Sequence, residues 1–484
     1  PGNARPPGLR HRLADYGCIL SNTRPEMPAW ECYAESSLRM PRVMTRPTNP
    51  PAASAFARIG QIASLRAVHV ALGWLHLHEQ QTLRWQMECV AIPAPSFAEA
   101  ERAAWLRERF CDLGLQAVEI DGAGNVLGWL PSSPGAPGDK TRDDASDELE
   151  SSEDTTPVIV LSAHIDTVFP AGTPIEPVLK GTRLHAPGAC DNGAGIAALL
   201  AIAASLQHAA IRTACRIVFL ANTCEEGEGD LRGVRHIYAN RQNTWQGRIA
   251  AHLVLDGAGQ SVAVTRALGS RRFEAVIEGS GGHSWTDAAR PNPLVALSDA
   301  IVRMRERQAA REASPRITAR STWNVGSIEG GSSINSIPSS AVGRFDLRST
   351  ESDDLLRLEV DLHRAVEDAV LAANAGAPGE HLLRSTVRLI GDRPASALPD
   401  DARALALLRA VDRHLGLRTE LRTASTDANI PLSLGVEALS LGAGGEGSGT
   451  HTLTEWFDAK GRDLALRRIL LLLLALADCR TVES

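Results

Sequence analysis

The chain has 484 residues, enough for about two to four domains at roughly 150 residues each. Its 44% hydrophobic and 22% charged residues are the balance of an ordinary soluble globular protein. A net charge of −7 and only 4% aromatic residues exclude an electrostatic nucleic-acid binder and a base-stacking platform. No apolar run exceeds nine residues (Ile469–Ala477), against about 20 for a membrane helix, so no span is expected. The eight cysteines include no CxxC pair, which argues against a zinc knuckle or a dense disulfide scaffold and for a reducing, cytoplasmic setting.

Residues 1–57 are rich in Pro and Arg, show no sustained apolar period and are expected to be a disordered tail. From Ala55 the pattern turns helical: Ile59, Ile62, Leu65, Val68 and Leu72 recur at three to four residues, and Leu75 to Val90 continues the trend. His76, His78 and Glu79 lie here without the HExxH spacing and read as helix-surface groups. A further helix is predicted over Ala98–Leu113, then a hairpin of Ala117–Ile120 and Asn125–Trp129 around Asp121-Gly122. Residues 131–157 carry prolines and a run of acids and read as a solvated surface insertion. Apolar strands at Val158–Ser162, Cys215–Ala221 and Leu253–Asp256 alternate with a long helix at Gly193–Ala210, the pattern of a parallel-rich α/β sheet.

Between residues 270 and 392 the order changes to β-α-β-β-α-β: Arg272–Glu278, Pro293–Gln308, Thr322–Ile328, Ala341–Arg348, Ser352–Ala373 and Leu383–Ile390. The α/β pattern resumes at Asp401. The expected organisation is therefore an α/β domain in two parts, 58–269 and 393–484, split by a compact inserted domain at 270–392.

Five short stretches stand where strands of the α/β part should end, the edge at which open α/β sheets bind ligands. In Ser162-Ala163-His164-Ile165-Asp166-Thr167, a carboxylate two residues after His164 can turn back and orient the imidazole. In Cys190-Asp191-Asn192-Gly193, Asp191 at a helix entry could cap the helix or bridge two cations. In Cys224-Glu225-Glu226-Gly227, two adjacent carboxylates after an apolar strand can divide labour as metal ligand and proton acceptor. Asp256 closes a strand, and His451 follows the Gly-rich run 442–449. Each alone fits a turn or a cap. Together they offer the imidazole and carboxylate mixture that two divalent cations need around a shared water.

This order of residues resembles the co-catalytic zinc peptidase family of peptidase T, carboxypeptidase G, aminoacylase and succinyl-diaminopimelate desuccinylase, over roughly residues 55–480. The resemblance implies a three-layer α/β catalytic domain with an inserted ferredoxin-like α+β lid and dimerisation domain. It implies His164 and Asp256 as ligands of one zinc, Glu226 and His451 of the other, and Asp191 as the bridge. Glu225 would be the general base and Asp166 the partner that orients His164. In the lid, His283 resembles a histidine that reaches a neighbouring subunit's site, Asn335 a substrate-binding residue, and Arg348 the holder of a substrate carboxylate; the loop Ser425–Asn429 resembles one near the site. Many members carry Lys where this chain has Gly193, which inclines it towards the peptidase T and aminopeptidase-like side or leaves the subfamily open.

The implied reaction is hydrolysis of amide bonds in small peptides by an exopeptidase of aminopeptidase or dipeptidase type. The implied cofactors are two divalent cations, zinc by resemblance, with cobalt or manganese fitting the same ligands. The alternatives are an N-acyl amino-acid amidohydrolase or a carboxypeptidase with the same metal site and, more remotely, a non-catalytic binding protein on a peptidase scaffold. A homodimer through the lid is implied, with neither nucleic acid nor membrane as partner.

Overall fold

The helical period at the start of the chain divides into three helices, α1 (Ala52–Ser64), α2 (Arg66–Leu77) and α3 (Glu79–Ala91). The computed structural model describes residues 52–131, 155–239, 245–312 and 320–479. Helix α1 begins inside the expected tail: Ala55 and Ile59 are fully buried, so the apolar stripe starts before residue 58. The rest of that tail, and residues 132–154 of the expected acidic insertion, lie outside the described residues.

Next come α4 (Ala100–Asp112), the hairpin β1 (Gln116–Ile120) and β2 (Val126–Trp129), β3 (Val158–His164), the short β4 (Val178–Lys180) and β5 (Arg183–His185), and α5 (Gly193–His208). They are followed by β6 (Arg216–Asn222), α6 (Arg232–Ala239), β7 (Ile249–Leu255) and β8 (Val262–Ala267). The middle of the chain supplies β9 (Gly269–Glu278), β10 (Gly282–His283), α7 (Pro293–Glu312), β11 (Ser321–Gly330), β12 (Ser336–Ile337), β13 (Ser340–Ser349), α8 (Ser352–Asn374) and β14 (Arg384–Arg393). The end supplies β15 (Ser396–Ala397), α9 (Arg403–Leu415), β16 (Glu420–Ala424), α10 (Asn429–Ser433), β17 (Glu437–Leu441), β18 (Glu446–Ser448), β19 (Trp456–Asp458) and α11 (Arg462–Leu476).

The first sheet runs β1-β2-β6-β3-β7-β17-β8-β15, with β16 beside β8. Its centre is parallel: β3 pairs in parallel with β6 and β7, and β17 with β7. Every residue of β3 is buried, as a strand covered on both faces requires. Helix α5, apolar all round and buried along nearly its whole length, packs against β3 on one side and α2 and α3 on the other. Each fully buried Leu or Ile there contributes about 1.5–3 kcal/mol relative to exposure. No helix among the described residues is long and apolar enough to cross a membrane.

The second sheet, β11-β13-β9-β14, is antiparallel throughout. Along β13, Ala341, Phe345 and Leu347 are buried, whereas Arg344, Asp346 and Arg348 alternate onto the opposite face. With Phe273, Ile277, Leu358 and Leu362 they form a hydrophobic cluster separate from the main core, and α7 and α8 cover it. The chain passes between the sheets at Leu268, between β8 and β9, and at Pro394-Ala395, between β14 and β15.

Gly193 stands where little room is left for a side chain. A Cβ on Gly193 would collide with Val90 and stand 2.8 Å from the Gly188 carbonyl oxygen. Gly193→Lys is therefore expected to lose stability by about 1–3 kcal/mol or more, read by urea unfolding. Gly73→Ala, inside α2 where a Cβ would meet nothing within 4 Å, is the control and should be neutral or gain up to about 1 kcal/mol.

Candidate metal centre

Because β3, β6 and β7 run in parallel, their ends deliver His164, the Glu225-Glu226 turn and Asp256 to one edge. The cap of α5 is Asn192, not Asp191: Asn192 Oδ1 accepts from Gly195 N at 3.0 Å and Gly257 N at 3.2 Å, and its Nδ2 donates to Leu255 O at 2.9 Å. That leaves the Asp191 carboxylate to other partners. The loop before it is gripped by Glu455, whose carboxylate accepts from Gly188 N (2.8 Å), Cys190 N (2.7 Å) and Asp191 N (2.8 Å). His451 lies four residues before Glu455, so one late segment supplies both the imidazole and the grip.

Asp191 lies between the two histidines. Its Oδ1 is 3.0 Å from His164 Nε2, and its Oδ2 is 3.1 Å from His451 Nε2. Asp256 Oδ1 approaches His164 Nε2 at 3.9 Å, and Glu226 Oε1 approaches His451 Nε2 at 3.2 Å. Two three-donor groups result, His164–Asp191–Asp256 and Asp191–Glu226–His451, each with its donor atoms within 4.8 Å of one another. A third possible group, His164–Glu225–Glu226, shares His164 with the first and Glu226 with the second.

Asp166 is buried and reaches further than the sequence alone indicates. Its Oδ1 accepts from Glu225 N and its Oδ2 from Glu226 N, both at 2.9 Å, and Ser96 Oγ donates to Oδ2 at 2.7 Å. His164 Nδ1 stands 3.1 Å from the Asp166 carbonyl oxygen and 3.5 Å from its carboxylate. Glu225 is held from the far side: Arg393 Nη1 donates to Glu225 Oε1 at 3.1 Å, and Nη2 donates to the Glu225 carbonyl. Among the described residues Glu225 Oε2 has no hydrogen-bond partner.

The electrostatics follow from burying acids together. Burial and the nearby Asp191 push Glu226 up to about 8 and Asp256 up to about 7. Burial also raises Glu225, against the pull of Arg393. Burial opposes the ionised form of Asp191, yet the two imidazoles hold its pKa below the ordinary range. Its bond to Asp191 lifts His451 to about 9. His164, although buried, is held well above its ordinary value by Asp166 and Asp191. Imidazole and carboxylate donors around one shared carboxylate, with acids that resist ionising together, fit a pair of hard-to-borderline divalent cations.

A model of peptidase family M20/M25/M40 matches residues 160–476. The chain belongs to this family. It is a hydrolase acting on amide bonds. It is 24% identical over 384 residues to the uncharacterized protein YqjE of Bacillus subtilis, covering 76% of this chain and 92% of the other. A tripeptidase from Staphylococcus aureus superposes with a TM-score of 0.63 at 22% identity, over 82% of this chain and 98% of that one. Bacillus subtilis YxeP, described as a dinuclear metal-binding peptidase, superposes with a TM-score of 0.57 at 14% identity, over 84% of this chain and all of the other.

Of the residues expected in a lid, His283 and Asn335 lie on neighbouring segments, whereas Arg348 does not join them. His283 lies on β10, paired with β12, and Ser284 N donates to Asn335 O at 2.9 Å. Among the described residues neither side chain hydrogen-bonds a metal donor: His283 Nδ1 accepts from Trp285 N at 3.2 Å, and Asn335 Oδ1 from Ser333 Oγ at 2.7 Å. Arg348 donates to Asp346 Oδ2 at 2.7 Å on its own strand. His78 stacks on Trp74 and bonds its carbonyl, away from any metal group. Sequence reasoning missed the roles of Asn192, Arg393 and Glu455, although Asn192 stands beside Asp191 at the helix entry and Glu455 four residues after His451.

Raised acids bind more protons folded than unfolded, so metal-free protein loses stability as pH climbs from about 4 through about 7 to 8. The raised His451 acts in the same direction, its contribution present below about 6.5 and lost through about 9. The melting temperature in chelator is expected to fall between pH 6 and pH 9, and added zinc or manganese to raise it most at pH 9.

Proposed function

We propose that this M20 enzyme is a di-metal exopeptidase acting on small unblocked peptides. The observation that carries the reading is Asp191, with one oxygen toward His164 and the other toward His451, beside the acid pair Glu225-Glu226. His164 and Asp256 would hold one cation, Glu226 and His451 the other, and Asp191 both. Two divalent cations bound there supply acidification of water and polarisation of a carbonyl oxygen. Zinc is the metal that the family resemblance implies, and cobalt or manganese fit the same donors.

The chain's own residues divide the remaining work. Glu225 Oε2, turned away from the Arg393 bond, takes a proton from the attacking water and returns it to the leaving nitrogen. Asp166 fixes the turn that carries Glu225 and Glu226 through their two backbone N–H groups. Arg348 and Asn335 bind the substrate's polar ends, and His283 of a second copy steadies the developing oxyanion. A dimer is supported by the setting of His283 and Asn335, which are flanked by the highly exposed Trp285 and Ile334. The second sheet then acts as lid and dimerisation domain.

Zinc-loaded protein should release free N-terminal residues from di- and tripeptides, and a chelator should abolish the release, with products read by mass. Cleavage confined to N-acyl amino acids or N-blocked peptides would move the assignment to an amidohydrolase or carboxypeptidase. Glu225→Gln should keep both cations yet lose at least about 10²–10⁴-fold in kcat; a near-native rate would remove Glu225 as base. His283→Ala should also be impaired without metal loss. Mixing it with Glu225→Gln should restore part of the activity if the histidine acts across the dimer, and no restoration would confine it to its own subunit.

A further inference from the structure

We infer that Arg393 is a positioning residue for Glu225, and that because it lies at the crossing between the two sheets, the attitude of the second sheet sets where the base stands. This rests on the reading of Glu225 as base. Arg393 is the last residue of β14, opposite Ser270 of β9, so both chain crossings lie beside it. Its side chain is 6% exposed and extends into the first domain's site rather than over the second sheet.

The guanidinium grips one residue twice. Nη1 donates to Glu225 Oε1 at 3.1 Å, and Nη2 donates to the carbonyl of the same Glu225. Nη1 also reaches Ser425 Oγ at 3.2 Å. A planar fork that holds both side chain and main chain fixes the carboxylate's direction as well as its charge.

The loop 425–429 closes the circuit. Asn429 Oδ1 accepts from Thr426 N at 3.0 Å, and its Nδ2 donates to Leu268 O at 2.9 Å and Pro394 O at 3.1 Å, one carbonyl from each crossing. Leu268 N in turn donates to Ala424 O at 2.9 Å. Further links join the second sheet to the turn after the base: Arg272 Nη1 donates to Gly227 O, and Asp392 N to Asp230 Oδ2 at 3.1 Å. Any rotation of the second sheet about Leu268 and Pro394 therefore moves the fork that holds Glu225. A shift of about 1 Å in a reacting group can cost about 100-fold in rate.

The test compares Arg393→Met, Arg393→Lys, Glu225→Gln and the double variant Glu225→Gln/Arg393→Met on a peptide that the wild type cleaves. Arg393→Met should lower kcat about 100-fold with KM within about 3-fold, and Arg393→Lys should recover part of the loss. Calorimetry should still find two cations per chain. In the Glu225→Gln background the Met substitution should cost nothing more, because its effect passes through the missing base. In metal-free protein, hydrogen exchange in Arg393→Met should quicken at residues 267–269, 393–395 and 224–230 together.

Losses that multiply in the double variant, a raised KM with unchanged kcat, or unchanged exchange would overturn the positioning role. If Arg393→Met fails to fold, Arg393→Lys decides: wild-type kcat there overturns the proposal, and a reduced kcat at unchanged KM supports it. Near-native turnover by Glu225→Gln alone would instead overturn the base reading on which the proposal stands.

Discussion

Negative charge gathered at the end of an apolar parallel sheet is the constraint to which the rest of this molecule answers. Asp166, Glu225, Glu226, Asp427 and Glu455 are buried there, with Asp191 and Asp256 half-buried among them. In a poorly screened interior such charges repel strongly. The structure sorts them by how they are satisfied. Asp166 and Glu455 each collect backbone N–H donors and serve as struts. Asp427 takes the Asn222 amide at 2.7 Å and is pushed well above its ordinary range by burial and by Glu225. Asp191, Glu226 and Asp256 face imidazoles, and among the described residues they stand, with Glu225, in the groups that could hold a metal ion.

The two sheets contribute different things to that site. The parallel sheet supplies convergence, because strands that end on one edge bring distant residues together without long loops. The antiparallel sheet supplies an alternating surface: Arg272, Arg344, Arg348 and Arg388 stand among Glu274 and Asp346, opposite the face that carries the apolar cluster. Such paired, partly exposed charges add little to stability.

The repeating patterns were legible in the sequence because burial imposes them locally. The β-α-β-β-α-β order between residues 270 and 392, the buried strand before His164 and the long apolar helix after Asp191 all appear in the structure with ends shifted by a few residues. Helix α1 begins at Ala52, three residues before the pattern turns helical at Ala55, because a short Ala-rich turn carries little periodicity before its first Ile. What periodicity cannot reveal is a partner far along the chain. Arg393 reaches Glu225 across 168 residues and Glu455 reaches Asp191 across 264, and neither pairing leaves a local trace. Asp166 shows the same limit, since its two backbone donors lie on another strand's turn.

The late position of His451 and Glu455 bears on how the protein is made. During synthesis the strands that present His164, Asp191, Glu226 and Asp256 are complete well before the final stretch leaves the ribosome. Until then the loop at 188–191 lacks its strut, and Asp191 lacks its second imidazole. Helix α11, which shares the main core with α5 and the central strands, is later still. On the proposed ligand set the second cation position would therefore be completed only late in synthesis: a protein cut short before residue 451 keeps Asp191 and Glu226 but lacks the imidazole that stands beside both.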